Sequence, residues 1–110
     1  MNIQIFGTKS CSETRKAERF FKERRIQFQY RDLNEKGISK GELDNICQAV
    51  PLEELIDKNG KQYLKRNMQF MVFDIKEEIL SDPLLCKTPI VRNGRLATVG
   101  YKPEIWKSWI

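Results

Sequence analysis

The chain has 110 residues, 40% of them apolar and 32% charged, which suits one soluble globular domain with a single modest core. It contains no histidine, so His general bases, Cys-His nucleophilic pairs and His metal sites are excluded. Its three cysteines, Cys11, Cys47 and Cys86, are too sparse for a zinc cluster or a secreted disulfide framework, so a cytoplasmic location is expected. The net charge of +5 sits in one segment: Gly7 to Arg31 holds eight Lys/Arg against three Asp/Glu, while the remainder balances to zero.

In chain order, Asn2-Ile3-Gln4-Ile5-Phe6 alternates polar and apolar residues and predicts a strand. Gly7 to Ser10 is a turn. Ser10 and Glu13 have the spacing of a capping box that would open a helix, with Cys11 at its first position. Ala17, Phe20 and Phe21 form the buried stripe of that helix, and Arg15, Arg19 and Lys22 line another face. Ile26, Phe28 and Tyr30 alternate with polar residues in a second strand, so the first third reads as a βαβ unit with parallel strands.

Ser39 and Glu42 repeat the capping-box spacing ahead of a helix carrying Leu43, Ile46, Cys47 and Val50, which Pro51 ends. A short helix over Leu52 to Ile56 and a turn at Asp57-Lys58-Asn59-Gly60 follow. Met68, Val72, Ile75 and Ile79 predict a further helix that stops before Asp82-Pro83. Two strands, from Pro89 to Val91 and from Leu96 to Val99, flank an Asn93-Gly94 hairpin turn. Pro103 suits the first position of a last helix, whose Ile105, Trp106, Trp109 and Ile110 are expected to pack inward. The longest uninterrupted apolar run is Phe70-Met71-Val72-Phe73, far too short to span a membrane, and no signal peptide is read at the N-terminus. The expected class is α/β: a thioredoxin-like fold over residues 1–110, built from βαβ and ββα halves around a four-stranded mixed sheet, with a helical insert at approximately 37–82.

Two places carry chemistry. A cysteine at a helix start is favoured as its thiolate by free backbone N–H groups and by the helix dipole, and Lys9, Arg15 and Lys16 push the same way. Cys11 is therefore the candidate nucleophile and Arg15 its candidate catalytic partner. The amides of Ser12, Glu13 and Thr14, with the Thr14 hydroxyl and the Arg15 guanidinium, form a candidate anion cradle. At Thr88-Pro89 an X-Pro bond opens a strand, where a cis peptide would turn the Thr88 backbone toward Cys11 and offer it to a thiol partner. Cys47 falls on an apolar stripe and reads as core. Cys86 reads as a buried residue of the strand approach, with resolution of a Cys11 disulfide as the alternative. The basic segment is a solvated helix face; with no motif or interleaved aromatics beside it, direct nucleic-acid binding is not expected.

Three stretches, Gly7 to Ala17 (GTKSCSETRKA), Lys87-Thr88-Pro89-Ile90-Val91 and Val99 to Glu104 (VGYKPE), together with Asp57-Lys58-Asn59-Gly60, resemble the family of glutaredoxin-coupled arsenate reductases and Spx-type regulators. The resemblance runs over essentially the whole chain. It implies a thioredoxin-like fold with an all-helical insert, Cys11 as the redox cysteine, and no bound cofactor or metal. The implied co-substrate is glutathione or another low-molecular-weight thiol. The implied partners are a thiol-bearing small molecule or a protein such as a glutaredoxin or RNA polymerase, with no membrane.

Three departures matter. Arsenate reductases of this type carry arginines where this chain has Thr88, Asp57 and Lys102, and losing planar bidentate clamps weakens oxyanion binding. Spx proteins often carry a Cys-x-x-Cys switch, whose second position here is Thr14. The first expectation is thus a thiol-disulfide oxidoreductase forming a mixed disulfide at one cysteine. An Spx-like regulator that binds RNA polymerase is the alternative, and arsenate reduction comes third.

Overall fold

The computed structural model describes residues 1–110. Four strands, β1 (Ile3–Gly7), β2 (Phe28–Asp32), β3 (Ile90–Asn93) and β4 (Leu96–Val99), form one mixed sheet in the order β2-β1-β3-β4. β1 and β2 are parallel, with Ile5 opposite Tyr30, and the crossover between them is helix α1 (Ser12–Glu23). β3 runs antiparallel to both β1 and β4. The chain between β2 and β3 is helical: α2 (Lys40–Ile46), α3 (Leu52–Leu55), α4 (Lys61–Lys65) and α5 (Ile75–Ser81), with single 3₁₀ turns at Met68–Phe70 and Pro83–Leu85. Helix α6 (Pro103–Lys107) closes the chain, with its proline in the first turn as expected.

The alternation along β1 decides which core each residue serves, because successive side chains leave opposite faces of a sheet. Ile3 and Ile5 face a smaller core with Ala17, Phe20 and Phe21 of α1, Val91, and Trp106 of α6. Phe6 faces the larger core, which also takes Ile90 and the buried residues of the insert, including Leu43, Ile46, Leu55 and Met68. Trp106 is wholly buried, and its Nε1–H donates to Thr98 Oγ1 at 2.8 Å, so the one polar atom of the indole is satisfied.

Several local readings need correction. Ser10 does not cap α1; the cap position is Cys11 itself, and Ser10 Oγ lies 3.4 Å from Thr8 Oγ1. The helix expected from Met68 to Ile79 is instead a 3₁₀ turn, an extended stretch and α5, and Val72 is fully exposed. The segment before it, Lys61–Lys65, forms a helix with no counterpart in the apolar periodicity. The hairpin pairs Asn93 with Leu96, so its two loop residues are Gly94 and Arg95, with the positive φ at Gly94. Of the residues expected to face inward from the last helix, Ile105 and Ile110 are exposed. The Ser39–Glu42 capping box does form, with both reciprocal hydrogen bonds.

Candidate functional site

β1 ends at Gly7, and the Gly7 to Ser10 turn delivers Cys11 to the start of α1. Gly7 is required there because a Cβ at this position would overlap the Thr14 side chain. Thr14 is completely buried on that glycine, and its Oγ1 has no hydrogen-bond partner elsewhere in the protein. A buried hydroxyl without an acceptor is costly, and the Cys11 sulfur answers it once ionised.

The sulfur occupies the place a serine or aspartate oxygen takes at an N-cap. Amides at the second and third helical positions, Glu13 and Thr14, turn toward it, although no cap hydrogen bond closes on the neutral thiol. Partial burial raises the Cys11 pKa. The Thr14 and Thr88 side chains and the two amides outweigh that effect, and the net shift is downward from the usual thiol value. The lowering therefore comes from short-range hydrogen bonding; Lys9, Arg15 and Lys16, credited with it from the sequence, are not among its causes.

The other wall is Thr88-Pro89. Their peptide bond is cis, and Cys11 Sγ approaches the Thr88 carbonyl oxygen at 3.7 Å across 77 positions of sequence. The insert holds this wall in place. Asp57 N–H donates to the Leu85 carbonyl at 2.8 Å and Lys87 N–H to the Leu55 carbonyl at 2.7 Å, around an Ile56–Cys86 bridge. On the far side, Gly100 N–H donates to the Pro89 carbonyl at 2.8 Å. Cys11 opens into a groove of about 670 Å³ between the insert and the hairpin, bordered by Glu13, Glu54, Asp57, Lys87, Thr88 and Lys102 and floored by Val50, Ala97 and Val99.

Of the residues singled out from sequence, Cys11, Thr14, Thr88 and Pro89 come together. Ser12 is exposed at the first turn, and its amide is not among those facing the sulfur. Arg15 does not join them. Its Nη1 donates to the Lys9 carbonyl at 2.8 Å, bracing the turn, and its side chain borders a separate groove with Lys9, Arg19, Lys22 and Tyr30. Glu13 and Glu54 were missed as groove residues. The Glu53-Glu54 pair offers no local signal, because only tertiary packing brings Glu54 to the groove that Cys11 opens into.

The other two thiols differ from Cys11. Cys86 is buried in the larger core, where burial pushes its pKa up to about 12. Cys47 packs against the same core, and burial and Asp44 raise its pKa. Only at Cys11 do the surroundings favour the thiolate. No group of three or more Cys, Asp or Glu side chains is placed to hold a metal, and no helix is long and apolar enough to cross a membrane.

A β2-β1-β3-β4 sheet, a thiol at the first helix start and a cis-proline facing it define a thioredoxin-like protein. The chain belongs to the ArsC family, which it matches over residues 6–109. It is similar to the global transcriptional regulator Spx 2 of Oceanobacillus iheyensis, at 29% identity over 94% of this chain and 80% of that one. Among solved structures it resembles the YffB protein, with a TM-score of 0.84 at 23% identity over 96% of both chains. It also resembles an arsenate reductase from Vibrio cholerae, with a TM-score of 0.83 at 20% identity over 100% of this chain and 98% of the other.

Proposed function

We propose that this protein is a thiol-disulfide oxidoreductase that works through one cysteine. The observation that carries this reading is the Cys11 sulfur, partly exposed, favoured as thiolate and 3.7 Å from the Thr88 carbonyl in an open groove. The Cys11 thiolate attacks a disulfide sulfur of the partner; the new S–S bond forms as the old one breaks, and the displaced sulfur leaves as a thiolate. A second thiol from outside, glutathione or another low-molecular-weight or protein thiol, then reduces the mixed disulfide. Cys86 is unsuited to that step, being buried and held protonated.

Cys11 is the nucleophile in this reading. Thr14 and Thr88 stabilise its charge, Pro89 shapes the docking wall, and Ser12 begins the helix whose next two amides face the sulfur. Arg15 serves as a brace for the turn through Lys9. Arsenate reduction is disfavoured because Thr88, Asp57 and Lys102 border this groove with no guanidinium among them, so a tetrahedral oxyanion would meet a carboxylate. The reading is tested by intact-mass and peptide mapping after exposure to disulfides of glutathione and of small peptides. A mixed disulfide confined to Cys11 is expected; no adduct at Cys11 with any of them would overturn it.

The regulatory alternative is favoured by the 29% identical Spx relative and by the basic groove of α1, which shares no residue with the thiol groove. A surface of that kind serves docking whether or not the thiol turns over. Retained capture of RNA polymerase by Cys11→Ser would support it; absence of capture by both Cys11→Ser and the unaltered chain would remove it.

A further inference from the structure

We infer that the Cys11 groove selects its disulfide partner by charge, accepting a cysteine in an extended peptide segment flanked by lysine or arginine and disfavouring one flanked by carboxylates. The inference rests on the thiol-disulfide reading of the same site and adds its substrate class.

Three carboxylates, Glu13, Glu54 and Asp57, border the groove with Cys11, against two ammonium groups, Lys87 and Lys102. None of these five takes part in any of the ion pairs of the protein, which lie elsewhere. The local balance is therefore negative, in a chain whose net charge is +5. The surplus cations are displaced to the other groove, where Lys9, Arg15, Arg19 and Lys22 meet one acid, Glu18. The far field and the near field thus have opposite signs: the whole molecule draws anions toward it, and the walls beside the sulfur disfavour them.

The placement of the acids sharpens this. Glu13 is two residues along the chain from Cys11, and its Oε2 lies beside Gly100 of the same groove. Asp57 is held in direction by accepting from Asn59 N–H at 3.2 Å and by lying against Gly60. Glu54 is exposed on α3 and takes part in no ion pair. The occupant is a peptide segment because the groove is lined by apolar Val50, Ala97 and Val99 and by Thr88, whose backbone N–H donates to no group in the protein. An extended main chain supplies the acceptor for that N–H, and its side chains cover the floor.

In the transfer step the Cys11 thiolate displaces one sulfur of the partner's disulfide, so one S–S bond replaces another and the leaving thiolate takes a proton from solvent. No further oxidant or reductant is consumed. The test uses the full chain and homodimeric disulfides of three five-residue peptides, with the cysteine flanked by Lys, Gln or Glu. Cystamine serves as a cation without a peptide backbone. Adduct formation at Cys11 is followed by peptide mapping at low salt, and each rate is divided by that of a free uncharged thiol.

The Lys peptide is expected to react about tenfold faster than the Glu peptide, with a ratio that shrinks at high salt and falls about threefold in Glu54→Lys. Glu35→Lys, outside the groove, is expected to leave the ratio in place. Equal rates, or a faster Glu peptide, would overturn the charge selection while leaving the redox reading intact. Cystamine matching the Lys peptide would overturn the peptide assignment. No reaction at Cys11 with any probe would overturn the redox reading along with it.

Discussion

At the scale of single residues the proposed chemistry depends on Thr14. Its hydroxyl is buried over Gly7 with no acceptor of its own, so it stabilises a thiolate at Cys11 without first giving up another bond. Thr14→Val keeps the shape and removes the donor. The pH midpoint of Cys11 alkylation is expected to rise toward that of an ordinary thiol in this variant. An unchanged midpoint, read by iodoacetamide rates against pH, would show that the hydroxyl does not reach the sulfur. In the unaltered chain Cys11 is expected to alkylate first and Cys86 last, in keeping with their exposure and opposite pKa shifts.

Cys86 gives a second residue-level expectation, with a defined sign. Its native pKa of about 12 lies above that of a free thiol, near 8.5. Above pH 8.5 the unfolded chain releases this proton and the native chain does not, so this group's contribution to stability is intact below that pH and declines as pH rises toward 12. The slope is about 1.4 kcal/mol per pH unit. Urea unfolding of Cys86→Ala should show a correspondingly weaker alkaline dependence, set against its lower stability at neutral pH from the lost side chain.

At the scale of elements, the junction between β2 and α2 ties the insert to the sheet. Arg31 donates through both terminal nitrogens to Glu42, at 3.0 and 2.9 Å, and Glu42 also closes the capping box with Ser39. Burial raises the Glu42 pKa, but the Arg31 and Ser39 hydrogen bonds prevail and bring it to about 2. Because the native pKa is depressed, this stabilisation is present above the unfolded value near 4.3 and is lost as pH falls toward 2. Glu42→Gln should lower stability by about 1–3 kcal/mol at neutral pH in urea titrations, and the deficit should vanish toward pH 2. A deficit independent of pH would assign the effect to packing.

At the scale of the whole molecule, the sheet separates two cores that meet the site from opposite sides. The smaller one fixes α1 and hence the sulfur; the larger one fixes the insert and hence, through the Leu55–Lys87 and Leu85–Asp57 hydrogen bonds, the approach to Thr88. Trp106 joins α6 to α1 by edge contacts with Phe20 and to the sheet through Thr98. Trp106→Ala is expected to cost about 3–5 kcal/mol, measured by chemical unfolding. Leu55→Ala, in the other core, is expected to cost about 2–5 kcal/mol and also to slow Cys11 adduct formation, since it loosens the segment that carries Thr88. If Leu55→Ala lowered stability and left the Cys11 rate unchanged, the insert would not be what positions that wall.

The sequence alone determined what short-range physics controls. Alternation in Ile3 to Phe6 and in Phe28 to Tyr30 specified the parallel pair, the Ser39–Glu42 spacing specified a cap, and Cys11 stood visibly between a strand and a helix. Its failures were also local. Capping spacing favoured Ser10 over Cys11, because sequence spacing does not say which residue turns its backbone into the first helical hydrogen bond. Helical periodicity joined Met68 to Ile79 across a stretch that the chain leaves extended.

The rest follows from packing between distant parts of the chain. That packing brought Thr88 to a sulfur 77 positions away, carried Glu54 and Asp57 from the insert to the same groove, and turned Arg15 toward the Lys9 carbonyl. The physical reason is that a helix or strand follows from neighbouring side chains and backbone hydrogen bonds. The charge and shape of a groove follow instead from how separate elements pack, and that is settled by two cores assembled across the whole chain.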